Sequence, residues 1–276
     1  MTIVKKIRIS EYRELIKQVN ELYNIDLSSH TSTSLKRRVE EFMVLSTTFT
    51  IGNLITKIER SHDYFEDFLY NLTIPTTEMF RDGEAWLSLK NNVLSKIAKQ
   101  EQIKIWIPEA SSGEELYSLL IVLREMDILD KCKIVVTAIT DKNIKEMKTG
   151  SLVTRKLAVS GANYQRYKGN KNLEDYYEQN KQKSILNSEL LKNVEFKKHY
   201  IYKKIEPFDY FDLVIFRNRM LYYNKDLQVK VLDNIYNSMN KGGYLFIGVQ
   251  ESLTYWQYND RMKKIIKSEN IFRKQK

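Results

Sequence analysis

Residues 211–224, FDLVIFRNRMLYYN, constrain the fold more than any other stretch of this chain. An apolar run, Leu213, Val214, Ile215 and Phe216, ends abruptly in Arg217, Asn218 and Arg219. Four to eight apolar residues bounded by polar ones suit a strand buried on both faces of a parallel sheet. In open α/β sheets, ligands bind just beyond the carboxyl ends of such strands. Arg217, Asn218 and Tyr222 are therefore expected at a ligand-binding edge. Taken alone, the segment is better described as a core strand followed by a solvated turn.

A second segment adds weight to the ligand reading. In WIPEASSGEELYS, residues 106–118, a short apolar strand (Ile103, Ile105, Ile107) leads into the small-residue turn Ala110–Gly113. An amphipathic helix follows, with Leu116, Leu119, Leu120 and Leu123 apolar. A strand, a Gly/Ser turn and a helix N-terminus together present backbone N–H groups to a ligand. One glycine is a weak fingerprint, and Glu114 and Glu115 also complement the helix dipole.

The rest of the chain falls into two regimes. Residues 10–72 carry helical spacing: Leu15, Ile16, Val19 and Leu22, then Leu35, Val39, Phe42 and Met43. A Ser/Thr cluster at 28–34 supplies caps between them. From residue 84 onward, helix and strand signals alternate. Helices are expected at 84–99, 114–126, 141–148 and 225–240, and strands at 103–108, 133–139, 212–217 and 243–248. Such alternation implies a parallel, doubly wound sheet. The expected fold is α/β: an N-terminal helical bundle over 1–75, then a Rossmann-like domain over 76–276. Residues 150–198 interrupt the rhythm; they are polar, rich in Tyr, Lys and Asn, and show little helical period. Tyr164, Tyr167, Tyr176, Tyr177, Ile185, Leu190 and Leu191 imply partial packing there.

Composition excludes several classes. No run approaches 18 uninterrupted apolar residues, so no membrane span is expected, and MTIVKKIRIS lacks a signal-peptide core. The single Cys132 forms no internal disulfide, which suits a reducing cytoplasm, and it is expected to pack at a strand start. His30, His62 and His199 share no metal-ligand spacing, so no metal is expected. The net charge of +10 favours an anionic partner: an acidic protein surface, nucleic acid or a membrane face. No aromatic-interleaved basic stretch of the kind that cradles single strands is present, which argues against nucleic acid.

The motifs Thr76-Thr77-Glu78-Met79-Phe80-Arg81-Asp82, Ser111-Ser112-Gly113-Glu114-Glu115-Leu116-Tyr117-Ser118, Phe211-Asp212 through Arg217-Asn218-Arg219-Met220-Leu221-Tyr222, and Gly242-Gly243-Tyr244-Leu245-Phe246-Ile247-Gly248 follow one another in order. Together they resemble the CheR-type chemotaxis receptor methyltransferases, over roughly residues 10–275. The resemblance implies an S-adenosylmethionine-dependent methyltransferase that methylates glutamates of chemoreceptors and releases S-adenosylhomocysteine. It implies a small antiparallel β subdomain inserted at about 151–198, which in some members grips the receptor's C-terminal peptide. By position, Arg81 and Tyr222 match the catalytic residues. Thr77, Arg81, Glu115, Tyr200, Ile201, Phe216, Arg217 and Asn218 match cofactor-binding positions. Lys36 and Arg37, on the helix placed where the family docks substrate, are the expected substrate-binding residues. The implied partner is the cytoplasmic helices of a methyl-accepting chemotaxis protein.

The chain also departs from the family pattern. Pro75 stands where an Asn is usual, Pro108-Glu109 where small residues are usual, and Ala138 where an acid that accepts from the ribose is usual. Asp141 follows three residues on. A second reading is thus a catalytically impaired homologue kept as a receptor-binding or regulatory module.

Overall fold

A computed structural model describes residues 6–72, 78–179, 183–203 and 210–275. Pro75 and Thr77 lie outside the described residues. The chain divides into two compact units: residues 1–74 with 219–228, and 75–218 with 229–276.

The first unit contains four helices, α1 (Ile9–Tyr23), α2 (Ser32–Leu45), α3 (Ile51–Arg60) and α4 (His62–Leu72). Each buries one stripe: Tyr12, Leu15, Ile16 and Val19 on α1, Leu35, Val39, Phe42 and Met43 on α2. Polar residues set the ends. The Glu11 carboxylate accepts from the Arg8 amide at 2.8 Å, and the Thr50 hydroxyl accepts from the Asn53 amide at 3.1 Å. Tyr23 stacks on Phe65, with centroids 3.5 Å apart. Segment 219–228 belongs to this unit rather than to the second. His30 and Tyr223 form an antiparallel bridge, and the Thr31 and Asn224 amides donate to the Tyr222 and Ser29 carbonyls, both at 2.8 Å.

The second unit opens with α5 (Gly83–Leu89), a π-helical turn (Lys90–Leu94) and α6 (Ser95–Ile97). Then follow β1 (Ile103–Ile107), α7 (Glu114–Glu125), β2 (Cys132–Ala138), α8 (Asp141–Lys148), β3 (Ser151–Val153), α9 (Arg155–Tyr167), β4 (Tyr177–Gln179), β5 (Lys183–Leu186), β6 (Val194–Lys198) and β7 (Phe211–Phe216). The chain ends with α10 (Lys225–Asn237), β8 (Met239–Ile247), β9 (Met262–Lys264) and β10 (Ile271–Lys274); the division between units falls inside α10. Seven strands form one sheet in the order β6-β2-β1-β7-β8-β10-β9. Strands β6, β2, β1, β7 and β8 pair in parallel, and β10 and β9 are antiparallel. The order reverses between β1 and β7. That reversal is the topological switch point, where an open sheet leaves a crevice at its carboxyl edge. Both segments singled out in the sequence end there.

Several expectations need correcting. The polar stretch 150–198 is not wholly β: it holds a 13-residue helix, α9. The small antiparallel sheet, order β3-β5-β4, is present, but β6 leaves it to pair with β2. The terminal strands β9 and β10 carry no strong alternation and were not expected. The helix expected over 225–240 ends at Asn237, and residues 239–242 already belong to β8, whose register against β7 shifts between Phe211 and Leu213. Glycines permit that irregularity: Gly242 has φ +79, and a Cβ on Gly243 would lie 2.9 Å from the Phe211 carbonyl oxygen. Cys132 does start β2, and burial raises its thiol pKa to about 12.

Candidate active site

Strand β7 delivers Phe216 and Arg217 to the switch point, both buried. The Arg217 guanidinium donates from Nη2 to the Asp82 carboxylate at 2.7 Å and from Nη1 to the Arg81 carbonyl at 3.0 Å. Its Nη1 also lies 4.0 Å from Glu115 Oε1, at the start of α7. The guanidinium carbon sits 4.5 Å from the centroid of the Phe246 ring, a cation–π contact that replaces water over one face. Burial pulls the Arg217 pKa below its ordinary value, while Glu115, Asp82 and Glu251 oppose the shift. Among the described residues, Arg217 Nε is buried with no hydrogen-bond partner.

Three further contacts shape this edge. Asp82 stands at φ 59, a left-handed conformation that turns the chain between Arg81 and α5. The preceding Met79 and Phe80 amides are held by Ser160 Oγ at 3.1 Å and Ser118 Oγ at 2.8 Å. Beyond β7 and β8, one Glu251 oxygen accepts from the Asn218 amide at 2.9 Å and the Gly248 amide at 2.7 Å, which closes the gap between the two strand ends. Gly248 has no room for a side chain: a Cβ would lie 2.9 Å from the Asn218 backbone nitrogen.

The turn after β1 is tied to β2. Thr137 Oγ1 accepts from Trp106 Nε1 and from the Glu109 amide, each at 3.2 Å, and its carbonyl accepts from Ala110 at 2.7 Å. Asn143 of α8 donates to the Ser111 carbonyl at 2.7 Å. At the end of β2, Ala138 is fully buried and its carbonyl accepts from the His199 amide at 2.9 Å. Asp141, at the start of α8, has an exposed carboxylate that pairs with Lys198 at 3.3 Å.

The expected residues are thus distributed unevenly. Arg81, Glu115, Phe216, Arg217 and Asn218 share the β1/β7 carboxyl edge. Tyr200 and Ile201 follow β6, and the Ile201 carbonyl accepts from Asn234 at 2.6 Å. Tyr222 belongs to the first unit, where its main chain meets Thr31. Lys36 and Arg37 also belong there and line a cleft of about 850 Å³ between α1 and α2. Thr77 lies outside the described residues. Sequence reasoning missed Glu251, which follows β8 in a loop without periodic signal. Asp82 stood within a quoted motif, but its pairing with Arg217 was not foreseen.

The donor set suits a zwitterionic ligand such as an amino acid end group. One guanidinium group, that of Arg217, and two carboxylates, those of Asp82 and Glu115, meet at one edge, beside the N-terminus of α7. An acid for ribose hydroxyls is missing at the end of β2.

Residues 75–271 match the family described as CheR methyltransferase, SAM binding domain. A Pseudomonas putida protein named as a methyltransferase, Cher3, is 32% identical over 264 residues, which cover 96% of each chain. A chemotaxis protein methyltransferase of Listeria innocua is 24% identical, covering 88% of this chain and 90% of the relative. Chemotaxis protein methyltransferase 1 of Pseudomonas aeruginosa is 24% identical, covering 83% and 85%.

Proposed function

This chain belongs to the CheR methyltransferase family, and on that premise we propose that it methylates glutamate side chains on the cytoplasmic helices of chemoreceptors. It is an S-adenosylmethionine-dependent methyltransferase. The observation that carries the reading is the Arg217–Asp82–Glu115 cluster at the switch point, with Arg217 and Glu115 buried and Asp82 half-buried, whose charges match the carboxylate and ammonium of a methionyl group. When bound, the donor supplies an activated sulfonium methyl carbon, which a glutamate oxygen attacks as the carbon–sulfur bond breaks.

The protein then has three tasks: to align the two reactants, to exclude water and to keep the glutamate ionised. Glu115 takes the ammonium. Arg217 fixes the Arg81–Asp82 turn through the Arg81 carbonyl and the Asp82 carboxylate, and leaves the half-buried Arg81 guanidinium to hold an incoming carboxylate. Tyr222 donates a hydrogen bond to the reacting carboxylate, and Lys36 and Arg37 receive the acidic helix. The test is tritium transfer from labelled donor into receptor cytoplasmic fragments. Arg81→Ala and Tyr222→Phe should each cut transfer by about tenfold or more while the chain stays folded. Wild-type rates for both would refute the assigned roles.

The alternative, a receptor-binding module with impaired catalysis, is favoured by one observation, the buried Ala138 where a ribose acceptor is usual. It predicts receptor binding without methyl transfer, and calorimetry with S-adenosylhomocysteine decides between the two.

A further inference from the structure

Glu109 is the one residue of the β1–α7 turn whose backbone and chemistry disagree with its position. It adopts φ 53, a left-handed conformation that glycine takes without cost and that a glutamate rarely takes. Strain of this kind persists where the surroundings enforce it, and it points toward function. Here the enforcement is visible. Pro108 precedes Glu109, the Glu109 amide is fixed to Thr137 Oγ1 at 3.2 Å, and the next amide is fixed to the Thr137 carbonyl at 2.7 Å. Thr137 is fully buried and immediately precedes Ala138, the last residue of β2. The main chain therefore tethers a half-buried carboxylate-bearing residue beside the end of β2.

That is the edge at which a nucleoside-binding sheet ordinarily presents an acid to the ribose hydroxyls. Ala138 supplies none, and Asp141, three residues on, is exposed and paired with Lys198. We infer that Glu109 is the ribose acceptor of this protein, a carboxylate delivered from the β1 turn to the place where β2 lacks one. The inference rests on the S-adenosylmethionine reading above. It accounts for both departures at once: the bulky acid in the turn and the missing acid on the neighbouring strand are one relocated function. The opposite reading, a side chain that obstructs the site, predicts the opposite sign on removal.

Isothermal titration of the full chain with S-adenosylhomocysteine and with its 2′,3′-dideoxy analogue separates them. Glu109→Gln keeps the shape and removes the charge; Glu109→Gly also releases the strained φ. If Glu109 accepts from the ribose, both variants should weaken S-adenosylhomocysteine about tenfold or more, as expected for a charge-assisted hydrogen bond. Both should bind the dideoxy analogue as the wild type does. Unchanged or tighter S-adenosylhomocysteine binding by the folded variants overturns the inference while leaving the cofactor reading intact. No heat from the wild type at millimolar S-adenosylhomocysteine overturns both. Should the glycine variant fail to fold, the glutamine variant with the two ligands suffices, because a loss that is equal for both ligands would also overturn the assignment.

Discussion

Glu251 shows how one side chain can define an edge of the site. It is buried, and a single oxygen serves the Asn218 and Gly248 amides. Glu251→Ala takes the acceptor from the buried Gly248 amide and the part-buried Asn218 amide, each costing about 1–3 kcal/mol. Urea denaturation should therefore show a loss of about 2–4 kcal/mol, with Glu251→Gln losing less because a carbonyl oxygen still accepts. At this scale the sequence was legible where polarity changes abruptly. Arg217 follows four apolar residues, a break that marks the strand end, and the family resemblance adds its place at a binding edge. Asp82, its partner, lies 135 residues away in the chain, and no local pattern can announce such a pair. Glu251 was illegible for a related reason, since loop residues obey no period.

At the scale of elements, the central strands were legible because they are buried on both faces and so form continuous apolar runs. Helix α9 was not, although its period is intact. Its inward positions Leu157, Ser160, Asn163, Tyr164 and Tyr167 recur every three or four residues, but two of them are polar and two are tyrosines. Their polar atoms are used. The Tyr164 hydroxyl donates to Glu125, and the Tyr167 hydroxyl donates to the same carboxylate at 2.9 Å. Ser160 accepts from the Met79 amide, and Asn163 donates to the Met79 carbonyl, each at 3.1 Å. A search for aliphatic stripes passes over such a face. Helix α9 thus anchors the Glu78–Asp82 segment that Arg217 grips. Ser160→Ala should deprotect the Met79 amide in hydrogen exchange, and Asn163→Ala should cost about 1–3 kcal/mol. Unchanged exchange at Met79 would show that the segment is held by other contacts.

At the scale of the whole molecule, charge and pH act on both units. Each holds a histidine whose pKa is lowered, in both cases mainly by burial: His30, against the pull of Asp26 and the Leu27 carbonyl, and His199, against the Lys203 backbone hydrogen bond, with the Lys203 charge adding to the lowering. An unfolded histidine takes its proton near pH 6.5. The folded ones resist, so their contribution to stability is complete above that pH and is lost as pH falls through the lowered folded values. Thermal scans from pH 7 to pH 5 should show falling melting temperatures, and His30→Gln should flatten the decline. Acidification also bears on recognition through the +10 net charge, which attracts acidic surfaces at any pH in this range. On the proposed reading, part of that attraction is focused by the α1–α2 cleft, where Lys36 is half-buried and Arg37 is exposed beside Glu41 at 3.5 Å. An exposed pair of this kind contributes little to stability, so Arg37 can be reversed without unfolding α2, and circular dichroism of the double variant checks that the helix holds with Lys36 reversed as well. Lys36→Glu with Arg37→Glu should weaken association with glutamate-rich receptor fragments at low salt. The deficit should shrink as salt rises through the range where the screening length falls below about 10 Å. S-adenosylhomocysteine binding, measured in the same buffers, should not change. Association that is unaltered and insensitive to salt would remove the first unit's cleft from receptor recognition, and would leave the methyl-donor site without an assigned acidic partner.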